Sequence, residues 1–452
     1  MLHPLLRACG LVLTVLLLAG CDDLGRINWS PDGKRCAVLS EHDLQIGDDT
    51  GALHAEPTLR TGIFEWLPDS KSAIVVTAKK ASWSELTKLI SATDLKKIST
   101  DANHLYLHPN QNPQNTLSLD YDCTVCDLYL KNRYGKPYLS SSLHKLWGDT
   151  PAVIYTARVY DFAVSPPLTK TVLLQTARQI TAINIAPNGQ LEAICEKELD
   201  GCKLSVVSTN GKTQRFVSRV TSQRVCWSAD SRAVFFAYKD DVGVNGTLQR
   251  VTVAGQNGPL LPRPDKVESL ATIECNEDTV LQCLPDGRII FNSRELKVPS
   301  LKGEDNSNRS IFILAADGKA IDKLKLPTIE SDCNVQTFAT NHSGTKLVAL
   351  GSNGQIWLTD LLTHESTTVQ GDVGDTTMAP TWRTDDQFTY AARNKVRSEN
   401  GHDVEVVLRN ANDGSEQIIS NNWSTKDVSF LHDEDRDIHK PKANLKHSSP
   451  KH

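Results

Sequence analysis

The chain has 452 residues, with 49 Lys and Arg against 54 Asp and Glu, a net charge of −5 and 39% apolar residues. This mildly acidic balance argues against a nucleic-acid partner, which wants a basic face, while the length still allows a large core. Met is rare, with two in the chain, and Val, Thr, Ile and Ser are plentiful, which favours strands over helices.

Residues 1–20 read MLHPLLRACGLVLTVLLLAG, one positive charge (Arg7) followed by an apolar run from Leu11 to Ala19. That run has the length of a secretion-signal core and is short for a helix spanning a bilayer of roughly 30 Å. It ends in Leu18-Ala19-Gly20-Cys21. This resembles the lipobox of bacterial lipoproteins: an aliphatic residue, two small residues, then the cysteine that takes a diacylglyceryl thioether. The resemblance implies a signal over 1–20, lipidation at Cys21 and a short tether over 21–26; the alternative is an ordinary signal with a chance cysteine. Several acyl chains would give stable anchoring where one is marginal. Asp22 and Asp23 resemble the enterobacterial signal for retention in the inner membrane. Loss of Arg7 with the signal leaves 48 basic residues against 54 acidic ones in the mature chain.

A strand-like segment begins near Arg26, and from there the chain repeats. A Trp-led turn stands at WSPDGK (29–34), WLPDSK (66–71), WSADSR (227–232) and WRTDDQ (382–387). Weaker versions are LHPNQN (107–112), WGDTPA (147–152), IAPNGQ (185–190), LPDGRI (284–289) and NHSGTK (341–346). In such turns Pro31 and Pro68 preset φ, Asp32, Asp69 and Asp230 cap the corner through their side chains, and Gly33 takes the left-handed position. Trp29, Trp66, Trp147, Trp227 and Trp382 are placed to pack between repeats and to find a partner for their N–H. Each turn leads into an apolar or alternating strand, such as CAVLS, AIVVTA, AVIYTA or AVFFAY. A second hairpin follows ten to twenty residues later, as in KLISATDLKKIS, LYLKNRYGKPYL, KLSVVSTNGKTQRF, LQRVTVAGQNGPLL and IFILAADGKAIDKL.

Four strands per unit of about 40 residues is the pattern of a propeller blade. The expected fold is therefore all-β: a single β-propeller of four-stranded antiparallel blades over 27–431, with eight blades favoured in a range of seven to nine. Strand DVSFL (427–431), preceded by Trp423, is expected to complete the first blade. The tail over 432–452 is charged and poor in apolar residues, and is read as disordered.

The turn motif is similar to the repeat of TolB-like periplasmic propellers, which WSPDGK matches fully and the other turns match in part. The resemblance covers about 27–431 and implies the fold, while the same repeat serves many functions. This sequence departs from the TolB pattern in lacking a separate N-terminal α/β domain and in offering nine candidate units rather than six.

With Cys9 removed and Cys21 lipidated, nine cysteines remain, at 36, 123, 126, 195, 202, 226, 275, 283 and 333. In an oxidising compartment they can pair, and the odd count leaves at least one free or paired between chains. Cys195 and Cys202 flank a turn between alternating runs and are read as a cross-hairpin bridge; Cys275 and Cys283 have similar spacing. Cys123-Thr-Val-Cys126 has the spacing of a redox dithiol or half a zinc site. Its strand-like flanks favour a structural bridge over catalysis, which would want a helix N-terminus to lower the thiol pKa.

No Gly-x-Ser-x-Gly elbow, phosphate-binding glycine loop or His-Glu-x-x-His string occurs in the sequence. His104 and His108 would share a face of a strand about 13 Å apart, too far for one metal. No catalytic residue, cofactor or metal is expected. Two functions remain. One is a membrane-tethered, extracytoplasmic scaffold that binds an envelope protein or a ligand. The other is a lactonase- or lyase-like propeller enzyme with its site in the central channel. The innermost strands expected at 182–186, 224–227, 335–340 and 379–382 offer few acids and no histidine, which favours the scaffold.

Overall fold

The computed structural model describes residues 27–39, 44–50, 52–59, 61–80, 153–176, 178–198, 201–222, 224–239, 245–255, 259–275, 279–293, 309–327, 334–369, 378–393 and 404–420. Every regular element among them is a strand. Blade 1 holds β1 (Ile27–Trp29), β2 (Arg35–Leu39), β3 (Leu44–Asp48) and β4 (Leu53–Leu59). Blade 2 holds β5 (Thr61–Trp66), β6 (Ser72–Lys80), β7 (Val153–Asp161) and β8 (Leu168–Thr176). Blade 3 holds β9 (Ile180–Ile185), β10 (Leu191–Glu198), β11 (Gly201–Ser208) and β12 (Gln214–Val220). Blade 4 holds β13 (Val225–Trp227), β14 (Ala233–Tyr238), β15 (Asn245–Thr252) and β16 (Glu268–Glu274). Blade 5 holds β17 (Leu281–Cys283), β18 (Ile289–Ser293), β19 (Ser310–Leu314) and β20 (Ile321–Lys323). Blade 6 holds β21 (Val335–Thr340), β22 (Lys346–Gly351), β23 (Ile356–Asp360) and β24 (Ser366–Val369). Blade 7 holds β25 (Thr381–Trp382), β26 (Gln387–Arg393), β27 (Val404–Asn410) and β28 (Glu416–Ile418).

These make seven four-stranded antiparallel sheets, each in sequential order, and the protein is a seven-bladed propeller. Along each strand alternate side chains point to opposite faces, so a blade serves two neighbours at once. On β10, Leu191, Ala193 and Cys195 join the core shared with blade 4. Ile194 joins the core shared with blade 2. Seven apolar clusters fill the seven junctions, including one that unites Ile27, Trp29, Cys36 and Val38 of blade 1 with Met378, Ala391, Val406, Leu408 and Ile419 of blade 7. That last cluster closes the ring.

Closure works differently from the expectation. Blade 1 draws all four strands from one continuous stretch, β1 to β4, with no place for a late strand between them. The ring is sealed by side chains: the Trp29 Nε1–H donates to Thr389 Oγ1 at 3.3 Å, and Arg383 Nε donates to the Gly33 carbonyl at 3.0 Å. Gly33 has φ of +66°, and a Cβ there would lie 2.7 Å from the Arg383 carbonyl oxygen, so only glycine fits. Residues 427–431 lie outside the described set, as do 1–26 with Cys21, 81–152 and the tail over 432–452.

Seven blades rather than eight follow from one pairing. AVIYTA, expected to be the second strand of a unit led by Trp147, lies largely in β7, and β7 is the third strand of blade 2, with Ile74 opposite Val159 and Lys80 opposite Val153. The candidate turns at 107–112 and 147–152 therefore fall within a connection of 72 residues, 81–152, inside blade 2. Trp147, Cys123, Cys126, His104 and His108 lie on it, outside the described residues. In blade 4 the fourth strand is β16, beyond LQRVTVAGQNGPLL, whose second half contributes the isolated bridge Ala254–Leu260 among the described residues.

Candidate functional site: the inner strands and the central channel

The Trp-led turns are structural. In six blades the turn is closed by an i to i+3 backbone hydrogen bond, such as Gly33 N to Ser30 O and Ser231 N to Ser228 O, both 2.8 Å. The residue at its end has positive φ: Gly33, Ser70, Gly189, Ser231, Gly287 and Gly344. The expected caps are in place. Asp32 Oδ1 accepts from the Ser30 hydroxyl and the Lys34 N–H, Asp69 from the Lys71 and Ser72 N–H groups, and Asp230 from Ser228 and Arg232. In all three, burial raises the carboxyl pKa but these hydrogen bonds outweigh it and hold it below the usual range. At Gly33, Gly189 and Gly344 the preceding blade crowds the left-handed position. Pro68 packs on Gly189, 3.1 Å from where a Cβ would stand. Where serine takes the strained φ, its hydroxyl accepts an N–H from the blade before: Asp32 N to Ser70 Oγ and Asn188 N to Ser231 Oγ, each 3.0 Å.

The tryptophans tie blades together. Trp66 Nε1 donates to the Asn28 carbonyl at 3.0 Å, Trp227 to Asn184 at 2.9 Å and Trp382 to Ala339 at 2.9 Å. In each case the acceptor stands one residue before the equivalent Trp position of the preceding blade. This rule aligns the inner strands. The Trp positions are Trp29, Trp66, Ile185, Trp227, Cys283, Thr340 and Trp382, and the residues before them are Asn28, Glu65, Asn184, Cys226, Gln282, Ala339 and Thr381.

The inner strands expected at 182–186, 224–227, 335–340 and 379–382 coincide with β9, β13, β21 and β25. The acid that expectation missed is Glu65, on inner strand β5, half-buried beside the channel. Burial pushes its carboxyl up to about 7, against the smaller opposing pulls of the Asn28 amide and the Arg224 guanidinium. Asn28 Nδ2 reaches Glu65 Oε2 at 3.2 Å and the Phe64 carbonyl at 3.0 Å. A carboxyl that changes charge near neutrality, beside an amide donor and within the field of a guanidinium, can exchange a proton or orient a polar ligand. Gln282 Oε1 accepts the Thr340 N–H at 2.9 Å, and so serves to join strands. Among the described residues no group of three His, Cys, Asp or Glu side chains is arranged to hold a metal ion.

Cys195 and Cys202 stand on the two strands of one hairpin, Cys195 opposite Leu204 and Cys202 opposite Lys197, on the same face and diagonal to each other. Both are buried, and the Thr181 hydroxyl contacts Cys202 Sγ at 3.6 Å. Cys275 and Cys283 share a junction core, but the sulfur of Cys283 lies 2.7 Å from that of Cys226.

No protein-family model matches the chain, and no curated protein does. Among solved structures the chain is similar to TolB from Acinetobacter baumannii, at 14% identity and a TM-score of 0.39, over 86% of this chain and 80% of that one. It is similar to hydrazine synthase from Kuenenia stuttgartiensis at 11% identity and a TM-score of 0.43, over 76% and 78% of the two chains. An oligogalacturonate lyase in complex with manganese matches at 13% identity and a TM-score of 0.40, over 59% and 72%. The fold assignment rests on the strand pairing itself.

Proposed function

We propose that this chain is a propeller tethered through Cys21 to the outer face of a bacterial membrane, the inner membrane favoured by Asp22, where it binds another envelope protein. The observation that carries the reading is the outer surface of blades 2 and 3. Six large apolar side chains stand exposed among the described residues, and four of them belong to these two blades: Val164 in the connection before β8, Leu168 at the start of that outer strand, Val172 within it, and Phe216 on the outer strand of blade 3. The two blades approach each other at Val172, because a Cβ on Gly211, in the turn between β11 and β12, would lie 2.5 Å from the Val172 carbonyl oxygen. Single apolar residues are normal on a surface, whereas four of six on the outer edges of two consecutive blades offer a place for a partner to cover.

A second reading is an enzyme of the lactonase or lyase kind working in the channel, and the observation in its favour is Glu65 with Asn28 and Arg224. One experiment separates the two. The full chain is crosslinked in its native cells, captured by its tail, and compared with Val172→Glu and Phe216→Glu, both half-exposed positions whose change leaves the ring's cores intact. The binding reading expects a stoichiometric envelope protein that is lost at least tenfold in both variants with an unchanged Tm. Capture that is indifferent to both variants sinks that surface. A partner-free chain whose turnover of soaked sugars or lactones disappears in Glu65→Gln supports the enzyme instead. The anchor is tested by Cys21→Ser, which releases the protein from the membrane fraction.

A further inference from the structure

At each junction the side chain before the Trp position points forward to the next blade, and the side chain at the Trp position points back. Asn28 reaches forward to the blade 2 carbonyl of Phe64, and Trp66 reaches back to Asn28. Trp227 belongs to the core shared with blade 3, and its neighbour Cys226 to the core shared with blade 5. At one junction both of these positions are cysteine. Cys226 points forward from blade 4, Cys283 points back from blade 5, and their sulfurs meet at 2.7 Å, closer than two unbonded sulfur atoms rest. Cys283 occupies the place where a tryptophan would tie the blades by a hydrogen bond.

From this we infer that Cys226 and Cys283 form a disulfide, a covalent staple standing in for the missing tryptophan tie between blades 4 and 5. The pair is distant in sequence and adjacent only because the ring places β13 beside β17. In forming the bond the two thiols give up two protons and two electrons to an external disulfide, such as oxidised glutathione, which becomes two thiols. Cys226 is buried and its thiol is pushed well above its usual pKa by that burial, so attack by its thiolate is slow in the closed ring. The bond is expected to form while the blades assemble and to resist reductant afterwards. Cys275, the partner suggested by spacing, is buried in the same core, and burial pushes its thiol up to about 11 against a smaller opposing pull from the Thr221 side chain.

The test uses two preparations of the full chain. One is exported through its own leader; the other is made in a reducing cytosol and matured in a glutathione redox buffer. Each is unfolded in the presence of an alkylating agent and digested without reductant, and its cysteine peptides are mapped by mass spectrometry. The expected result is a linked peptide joining Cys226 to Cys283, absent in Cys283→Ser, with Tm lowered by several degrees when the wild-type bridge is reduced. The linked peptide in the glutathione-matured sample alone keeps the bridge and counts against export. Alkylation of both cysteines in both samples, or a peptide joining Cys283 to Cys275, overturns the assignment.

Discussion

The two faces of blade 3 solve the same packing problem with opposite chemistry. Toward blade 4, Trp227 fills the junction and donates its N–H to Asn184, over a core of Leu191, Ala193, Leu204, Val206, Val234 and Phe236. Toward blade 2, the Trp position is Ile185, and the residue paired with it across the sheet is Glu192. In blades 1, 2 and 4 the residue opposite the tryptophan is Cys36, Ala73 or Val234. Glu192 is fully buried, and neither of its carboxylate oxygens has a hydrogen-bond partner within ordinary distance. Burial pushes its carboxyl up to about 8, against a smaller opposing pull from Thr209, whose hydroxyl donates its own proton to the Gly189 carbonyl. A propeller blade thus needs apolar volume on both faces, while its polar tie can move: toward blade 2 it lies near the end of β10, where the Thr176 hydroxyl donates to Glu196 Oε1 at 2.7 Å.

The strongest way to break this contrast is to truncate the tied side. Trp227→Ala removes a buried aromatic and orphans the Asn184 carbonyl, at an expected cost of about 3–5 kcal/mol in urea unfolding. Ile185→Ala, on the face that has no tryptophan tie, is expected to cost less, about 2–3 kcal/mol. Trp227→Phe, which keeps most of the volume, isolates the hydrogen bond at about 1 kcal/mol. An equal cost for the two alanine variants would remove the distinction between the faces.

The face without a tryptophan is sharpened by pH. Because the folded pKa of Glu192 lies above its value of 4.5 in the unfolded chain, the folded state binds its proton more tightly. That stabilisation is present in full below pH 4.5 and is lost as pH rises through about 8. Relative to wild type, Glu192→Gln is expected to gain about 1–3 kcal/mol between pH 5 and pH 8, an order of magnitude set by the size of the shift. Parallel stability curves for the two proteins would show that the carboxyl is charged in the fold.

The smallest effect concerns the turns. Ser231 holds φ at 60° while its hydroxyl accepts the Asn188 N–H. Ser231→Ala keeps the strain and loses the bond, at about 1 kcal/mol, whereas Ser231→Gly loses the bond but relaxes the backbone and is expected to be close to neutral. A neutral alanine variant would mean that the tie between turns contributes nothing.

Much of this was legible in the sequence, and what was not is instructive. The turns at Trp29, Trp66, Trp227 and Trp382 announced four blades, and the weaker IAPNGQ, LPDGRI and NHSGTK turns announced three more. All seven begin a blade, because turn chemistry is local. The error at Trp147 came from a turn followed by an alternating run. Those signals identify a strand but not its partner, and the pairing of β7 with β6 is decided across 72 intervening residues. Cysteine spacing has the same blind spot: it suggests Cys275 for Cys283, and it cannot show that the ring sets the sulfur of Cys226 2.7 Å from that of Cys283. Glu65 was missed because it sits in TGIFEW, a run whose apolar residues mask an inner-strand acid. Cys21, Cys123 and Cys126 lie outside the described residues.

The register of blade 2 has one more consequence. Lys80 and Val153 face each other across a hairpin, so the chain departs and returns through a doorway one residue pair wide. Closing a long loop costs only about 0.6 kcal/mol for each doubling of its length. For the ring, then, what fixes blade 2 is the pairing of Lys80 with Val153 and the strands behind it, and the number of residues between the two adds little to the cost of bringing them together.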